Sequence, residues 1–285
     1  MAKKLMKDVD ALVLAEALGL ETQGEQHHCI STVVSLDESV ESSLSFSKGI
    51  REEFSPGVLI APKGANAATV IISENPRLDF CRALLFLTEN EFISANSTDG
   101  NVAESARISE HAVIEKGVII GERTVIEHNV VVHSGTTIGS DSIIRSGTVL
   151  GAQGFGFEKD ENGVWQRFTH LGGLKIGDNV EIGALNSICV GALDDTVICD
   201  GVKTDNLVHV AHNCKIGKNT IITACAELSG GVTIGEGVWI GPNSSTMQKI
   251  SIGDNALVGV GSVVTKNVKP NYVVAGNPAK VIKKG

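Results

Sequence analysis

The chain has 285 residues and a formal net charge of −9, so it lacks the positive surface on which nucleic-acid binding depends. Aromatic residues make up only 4% of the chain while glycines number 32, a balance that favours a repeat with tight corners over an ordinary globular core. The six cysteines form no CxxC pair and no disulfide-like framework, which predicts a reducing, cytoplasmic location.

Residues 1–100 predict a small α/β domain that precedes the repeat. Their N-terminal segment is interpreted as an amphipathic helix and not a signal peptide, because Asp8, Asp10 and Glu16 interrupt its apolar residues. Asp8 or Asp10 is expected to cap this helix, and Gly19 to end it after Leu18. No apolar run in the chain is long enough to span a membrane.

Short apolar runs separated by turn residues follow in the same domain, and a second helix is predicted after Asn75-Pro76. The polar stretch 94–100 predicts a linker to the rest of the chain. The runs are Cys29–Val34, Ser43–Phe46, Gly57–Ala61 and Thr69–Ile72.

An aliphatic residue at every sixth position marks the rest of the chain. A helix has a period of about 3.6 residues and a strand a period of 2, so this step requires a prism built from three short strands per coil. The sequence therefore predicts a left-handed parallel β-helix over residues 101–267, with coils about 4.8 Å apart and a tail over 268–285. Each aliphatic residue, and the smaller residue two positions before it, should point inward. The first aliphatic block is Ile108, Ile114, Ile120, Ile126, Val132, Ile138, Ile144 and Leu150.

The repeat fails between Gly151 and Leu174 and slips by four residues across 191–195. The first interruption carries several aromatic residues, Phe155 and Phe157 among them. A long loop that leaves a rigid scaffold is usually functional, which makes these two residues candidate substrate contacts. The alternative is an aromatic patch that packs against a neighbouring subunit. The tail is expected to leave the prism at Pro270.

His212 and Gly230 are eighteen residues apart, so the prism should place them one above the other on adjacent coils. Acyl transfer from a thioester to an amine needs a base for the attacking nitrogen and donors for the oxyanion. His212 is the candidate base, and the N–H of Gly230 is the candidate donor because no side chain blocks its approach. Asp205 is a candidate to orient the His212 ring.

His209 competes with His212 for the role of base, and spacing alone does not decide between them. An odd separation puts the two rings on opposite sides of a strand unless a corner intervenes. Both histidines could also be surface or cleft-packing residues. No metal site is predicted, because HVAHN lacks a third ligand at a suitable spacing.

Several motifs of the chain are shared with one enzyme family. They are VSLDESVESSLSF (34–46), ENPRLDF (74–80), GFGF (154–157), GDNVEIGA (177–184), GALDDT (191–196) and DNLVHVAHN (205–213). Together they resemble the UDP-3-O-(3-hydroxyacyl)glucosamine N-acyltransferase family of lipid A synthesis, a group of hexapeptide-repeat acyltransferases. The resemblance implies a homotrimer, a uridine-binding first domain, His212 as base, Gly230 as oxyanion donor, and Phe46 stacked on the nucleotide base.

The chain departs from that family in three places. FSKGIREEF (46–54) lacks the Asn-Pro-x-Tyr segment that follows the family's phenylalanine, and SSTMQKISIG (244–253) lacks its second histidine. The chain stops at AGNPAKVIKKG, which resembles the tail of acetyltransferases that use acetyl-CoA. Lys280, Lys283 and Lys284 are therefore candidate contacts for the phosphates of coenzyme A.

The combined interpretation is an N-acyltransferase that moves an acyl group from a thioester to the amine of a nucleotide-linked amino sugar. No bound cofactor is expected, and the cosubstrate is an acyl-CoA or an acyl carrier protein thioester. Two alternatives remain: the lipid A enzyme itself with a trimmed C-terminus, and a non-catalytic β-helix scaffold. Candidate substrate contacts are Phe46, Asn75, Pro76, Phe155, Phe157, His209 and Asn213.

Overall fold

The computed structural model of the chain describes residues 3–25, 27–50, 52–93 and 100–285, which fall into two units. The first unit comprises Met1–Ala95, Gly156–Leu171 and Ala192–Asp194. The second comprises Asn96–Phe155, Gly172–Gly191 and Asp195–Gly285. The predicted linker over 94–100 lies outside the described residues except for its last position.

The first unit contains a six-stranded mixed sheet and two helices, the small α/β arrangement that the sequence predicted. The sheet order is β1-β3-β4-β5-β6-β2, with β3 to β6 parallel and both edge strands antiparallel. The elements are β1 Lys3–Asp10, α1 Ala11–Leu18, β2 Thr22–Gly24, β3 Cys29–Val33, β4 Ser43–Phe46, β5 Ser55–Ala61, β6 Ala67–Ile72 and α2 Pro76–Glu89, with a short 3-10 turn at Leu36–Glu38.

Helix α1 is shorter than the sequence predicted. Asp10 caps it by accepting a hydrogen bond from the Leu12 N–H at 2.8 Å, and Gly19 ends it in the left-handed conformation at φ 67°. Residues Lys3–Asp10, however, form a strand paired with β3, so the prediction of helix from the N-terminus is wrong there. Leu5 and Val9 are buried in this strand. A four-residue spacing of apolar residues suits a helix too, and the neighbouring strand decides between the two.

Three sheets form the second unit, each along one face of a β-helix, and all their strand pairs are parallel except β33 with β34. The first face contains eight strands (β7, β10, β13, β18, β21, β24, β27, β30), the second ten (β8, β11, β14, β19, β22, β25, β28, β31, β33, β34) and the third eight (β9, β12, β15, β20, β23, β26, β29, β32). The strands, together with the hairpin strands β16 and β17 of the first unit, are β7 Asn101–Val102, β8 Arg107–Ile108, β9 Val113–Ile114, β10 Ile119–Ile120, β11 Val125–Ile126, β12 Val131–Val132, β13 Thr136–Ile138, β14 Ile143–Ile144, β15 Val149–Ala152, β16 Phe157–Lys159, β17 Trp165–Arg167, β18 Leu174–Ile176, β19 Glu181–Ile182, β20 Ser187–Cys189, β21 Thr196–Ile198, β22 Lys203–Thr204, β23 His209–Val210, β24 Lys215–Ile216, β25 Ile221–Ile222, β26 Glu227–Leu228, β27 Thr233–Ile234, β28 Trp239–Ile240, β29 Ser245–Thr246, β30 Ser251–Ile252, β31 Leu257–Val258, β32 Val263–Val264, β33 Val273–Ala275 and β34 Lys280–Lys283.

The six-residue step corresponds to the inward face of these strands. From Val118 onward the aliphatic residues form one continuous core, and their smaller partners, including Thr124, Thr136, Ser142 and Thr148, are buried too, so the predicted inward sets are confirmed there. Ile108 is 37% exposed because β8 is the last strand of its sheet and has a neighbour on one side only. Core burial of this kind stabilises by roughly 25 cal/mol per Å² of apolar surface.

Within the interruption at residues 151–174, Gly156–Leu171 belongs to the first unit and contains a hairpin. Strands β16 and β17 pair antiparallel, and the following Phe168 ring lies 5.9 Å from the buried Phe80 ring of α2. Two ion pairs, Arg77–Glu158 and Arg82–Glu161, each at 2.8 Å, connect the hairpin to the same helix. Phe168 therefore packs within the first unit, whereas Phe155 belongs to the second unit and is exposed.

The β-helix continues past the end that the sequence predicted. Strand β33 adds to the second face in parallel with β31, and β34 then turns back antiparallel on β33. The expectation that the chain leaves the prism at Pro270 is therefore wrong. A final strand pair covers this edge of the sheet, which would otherwise expose unpaired backbone groups. In the ranges that the structure describes, no helix is both long and apolar enough to cross a membrane.

Candidate active site

His212 and Gly230 lie at corresponding corners of two adjacent coils of the third face. Strands β23 and β26, which precede them, pair in register, and the Gly231 N–H donates to the His212 carbonyl at 2.8 Å. A Cβ placed on Gly230 would lie 2.6 Å from His212 Nε2 and 2.7 Å from Cε1. The imidazole therefore packs directly against the glycine, as the eighteen-residue step predicted, and a side chain at position 230 would displace the ring.

The Gly230 N–H is available to a ligand. Among the residues that the structure describes it donates no hydrogen bond, whereas the Gly230 carbonyl accepts from the Lys249 N–H at 3.0 Å. A donor without an internal partner beside an imidazole is the arrangement that a developing oxyanion requires.

Asn213 sets the orientation of the His212 ring. Its Oδ1 lies 3.0 Å from His212 Nδ1, and because a carbonyl oxygen only accepts, Nδ1 carries the proton in this pair. The lone pair is then on Nε2, the atom that faces Gly230. Asn213 itself sits in the left-handed conformation at φ 60°, and its N–H donates to Thr196 Oγ1 at 2.9 Å. Asn213, predicted as a substrate contact, thus contacts the candidate base.

The structure does not bring Asp205 to His212 within the chain. Asp205 follows β22 on the second face, whereas His212 follows β23 on the third. Its carboxylate accepts from the Asn206 N–H at 2.7 Å, and its carbonyl accepts from Asn186 Nδ2 at 3.0 Å. The orienting contact expected of Asp205 is made by Asn213 instead, because the intervening corner turns the two segments onto different faces.

His209 and His212 line the same pocket, of about 610 Å³. Strand β23 ends at Val210, so a corner separates the two histidines and the alternation of a strand does not apply between them. His209 is an outward residue in register with Ser187 and Glu227, while His212 is the one packed on Gly230. Phe155, which is 89% exposed, also lines the pocket.

Nine further pocket residues were missed by sequence reasoning. An eighteen-residue ladder drawn through His209 and His212 would have found Glu227 and Gln248, whereas Ser187 pairs with His209 across the four-residue slip of the repeat. The nine are Ala152, Gln153, Ser187, Cys189, Ala211, Glu227, Ser229, Met247 and Gln248.

Two cysteines near the pocket are unsuited to nucleophilic chemistry. Burial raises the pKa of Cys214 to about 11 and also raises the pKa of Cys189. A thiol with a raised pKa is protonated at neutral pH and is a weak nucleophile. The site therefore depends on its imidazoles and backbone donors.

The remaining predicted substrate contacts belong to the first unit. The Phe46 ring is half-buried and lies 4.7 Å from the Phe80 ring, which makes Phe46 part of the core of that unit. Asn75 caps α2 through the Leu78 N–H, and Pro76 is the buried first residue of the helix. The Arg167 guanidinium lies 4.7 Å above the Phe157 ring. Asn75 also lines a separate cavity of about 660 Å³, but Phe46 does not.

The three lysines predicted to hold the donor are on the surface. Lys280 and Lys283 lie on β34, which is exposed throughout, and Lys284 follows it and is exposed too. None of the three lines the pocket that holds His212. Their proposed contact with coenzyme A stays a prediction.

Comparison with known proteins agrees with the β-helix fold of the second unit. The family model of bacterial transferase hexapeptide (six repeats) matches residues 117–152, 195–230 and 231–266. The UDP-N-acetylglucosamine acyltransferase of Campylobacter jejuni superposes with a TM-score of 0.53 at 25% identity, over 64% of this chain and 73% of that one. The corresponding Francisella novicida structure gives 0.54 at 25% identity, over 64% and 67%.

Sequence relatives extend the comparison to almost the whole chain. UDP-3-O-acylglucosamine N-acyltransferase of Bordetella parapertussis is 45% identical over 120 residues, which is 41% of this chain but only 33% of that protein. The protein of the same name from Coxiella burnetii (strain Dugway 5J108-111) is 34% identical over 92% of this chain and 87% of its own length. The chain therefore belongs to the UDP-3-O-acylglucosamine N-acyltransferase family of hexapeptide-repeat proteins.

Proposed function

We propose that this protein is an N-acyltransferase that transfers an acyl group from a thioester to the amine of a nucleotide-linked amino sugar. The observation that carries the proposal is the His212 imidazole packed against Gly230, with Nδ1 held by Asn213. The names of the relatives supply the acceptor class, a UDP-linked acylglucosamine. The family to which the chain belongs is the second support.

In this mechanism the amine nitrogen attacks the thioester carbon while His212 Nε2 takes a proton from it. The carbonyl oxygen becomes an oxyanion that accepts from the Gly230 N–H, and collapse of the intermediate breaks the carbon–sulfur bond. The thiolate leaves with the proton returned by the imidazolium. A general base contributes about 10²- to 10⁴-fold, and one oxyanion donor about 10²- to 10³-fold.

For the donor we propose a short acyl-CoA, acetyl or a small hydroxyacyl group. The support is the exposed basic strand β34, whose lysines match the phosphates of coenzyme A. A surface for an acidic carrier protein would need a larger basic area, whereas this chain carries a net charge of −9. The competing function is the lipid A reaction with an acyl carrier protein donor; the name of the Coxiella relative gives its acceptor, a UDP-3-O-acylglucosamine, and no donor.

The test supplies the purified protein with a UDP-linked amino sugar and either acetyl-CoA or a 3-hydroxyacyl carrier protein. Release of free thiol is followed by a colorimetric reagent, and mass spectrometry identifies the amide. Turnover with acetyl-CoA supports the proposed donor, while turnover with the carrier protein alone selects the lipid A reaction. Absence of amide with either donor would leave the scaffold alternative and overturn the proposal.

We also propose that the protein is a cytoplasmic homotrimer. Ile221, Trp239 and Leu257 form an outward apolar ladder on the second face, and Trp239 and Leu257 are 44% and 38% exposed. A flat apolar row of this kind suits burial against a second copy. The cysteines are free thiols, which fits a reducing compartment. Light scattering after size-exclusion chromatography measures the assembly, and a monomer at micromolar concentration would contradict it.

A further inference from the structure

The pocket around His212 contains one carboxylate that the proposed mechanism leaves unused. Glu227 is half-buried and lines the pocket together with His212 and Gly230. Its two carboxylate oxygens accept from the Ser229 hydroxyl at 3.1 and 3.4 Å. Among the residues that the structure describes, no lysine or arginine pairs with this carboxylate.

The position of Glu227 is set by the ladder of the third face. Glu227 on β26 is in register with His209 on β23 and with Ser245 on β29, at the spacing of about 4.8 Å between parallel strands. Gly230 follows three residues later at the next corner. The carboxylate therefore lies on the same stretch of surface as the candidate base and the oxyanion donor.

The chemistry of the third face changes along its length. The outward residues of its first three coils are Val113, Val131 and Val149, in register with one another. Two coils later the same row reads His209 and then Glu227. A polar row begins where the pocket begins, which indicates that this part of the face meets a polar and charged group.

A half-buried carboxylate without a cation is costly, because partial removal from water is not offset by an opposite charge. A ligand ammonium would supply that charge and would form charge-assisted hydrogen bonds, which are roughly twice as strong as neutral ones. An amino sugar carries such a group near neutral pH. A hydroxyl at the same carbon has no charge and would leave the carboxylate unpaired.

We propose that Glu227 binds the ammonium group of the acceptor and thereby selects an amine over a hydroxyl. This inference rests on the proposed function and names the residue that makes the reaction an N-transfer. One ammonium proton passes to the Glu227 carboxylate and on to water, which leaves the neutral amine. That amine then attacks the thioester carbon while His212 Nε2 takes its second proton.

The titratable neighbours of Glu227 are few. His209 on β23 is in register with it, and His212 and Cys189 line the same pocket. After burial, which is the main cause, the charge of Glu227 helps to raise the pKa of the buried Cys214 thiol. Both thiols stay neutral at pH 7 because burial raises their pKa values. The imidazoles of His209 and His212 are common to the native protein and its Glu227 variant, so binding is compared at one fixed pH.

The test is calorimetric binding of UDP-glucosamine and UDP-glucose, which differ only in an amine against a hydroxyl. The native protein should prefer the amine by about tenfold or more, the usual size of a hydrogen bond to a charged group. Glu227→Gln is isosteric and should lose that preference while its affinity for UDP-glucose is unchanged. Glu236→Gln removes a carboxylate at an exposed corner outside the pocket and should keep the preference.

The outcomes separate the inference from the proposed function. If both sugars bind the native protein and Glu227→Gln keeps the preference for the amine, the role of Glu227 is refuted and the acyltransferase proposal stands. Equal binding of both sugars by the native protein refutes it as well. If neither sugar binds, the nucleotide-sugar acceptor itself is wrong and the inference fails with it. Unchanged affinity of the variant for UDP-glucose shows that the fold is intact.

Discussion

Replacing Gly230 by alanine tests the central contact of the site. The added Cβ would lie 2.6 Å from His212 Nε2, whereas comfortable contacts between heavy atoms begin near 3.5 Å. The imidazole must therefore move by about 1 Å, and a displacement of that size from the reacting atoms costs about 10²-fold in rate. Obstruction of the Gly230 N–H adds to this loss. We expect kcat to fall by about 10²- to 10⁴-fold.

Two assays separate this clash from a general defect. Overpacking should lower the free energy of unfolding by about 1–3 kcal/mol, and Gly230→Ala should be much less destabilising in a His212→Ala background, where no ring is present. Gly49→Ala is the control, since a Cβ there meets no atom within 4 Å. Near-native turnover by Gly230→Ala, with kcat measured under saturating substrates, would refute the assignment of this contact.

Three further predictions concern other residues. His212→Ala should lower kcat by about 10²- to 10⁴-fold with little change in KM, and His209→Ala should lower kcat by a smaller factor. If steady-state kinetics show the larger fall in kcat for His209→Ala, His209 is the base. Phe46→Ala should raise KM for the nucleotide sugar more than it lowers kcat. It should also lower the melting temperature, because the Phe46 ring packs on the core of the first unit. An unchanged KM would show that Phe46 serves packing alone. The pKa of Asp195 is lowered because, although burial opposes it, the hydrogen bond from Lys175 at 2.7 Å favours the carboxylate. A carboxylate whose pKa is lower in the folded than in the unfolded state stabilises the fold above the unfolded pKa, and this stabilisation disappears as pH falls through the folded pKa. Asp195→Asn should therefore lower the free energy of unfolding by about 1 kcal/mol at pH 7 and by progressively less below pH 4. Chemical unfolding at several pH values measures this difference, and a difference that does not change with pH would contradict the prediction.

The assignment of Asp195 also explains how the repeat recovers after its long interruption. Its Oδ1 accepts from the Gly173 N–H at 2.8 Å, so the residue that begins the coil after the slip holds the backbone where the chain re-enters the prism. The GALDDT motif is thus at least partly structural. A sequence motif alone does not separate such a support from a substrate contact, since both require a polar side chain at a defined place.

The six-residue step determined most of the second unit without any structure. Each inward position has room for one aliphatic or one small residue, and a prism repeats that constraint on every coil, so the pattern is local and periodic. The same regularity placed Gly230 above His212, because a distance of one coil in sequence becomes a distance of one strand in space. The caps Asp10 and Asn75 were also predictable, since capping depends on residues adjacent in the chain.

Tertiary structure decided the features that depend on contacts between distant segments. Lys3–Asp10 became a strand because β3 lies beside it, and β33 joined the second face because β31 offered an open edge. Because a corner separates Asp205 from His212, Asn213 and not Asp205 lies within hydrogen-bonding distance of the His212 ring. The ladder of the third face set Glu227 beside His209, in the pocket that also holds His212. In each case the residue's own neighbours in sequence permit several conformations or partners, and the free energy of a non-local contact selects one of them.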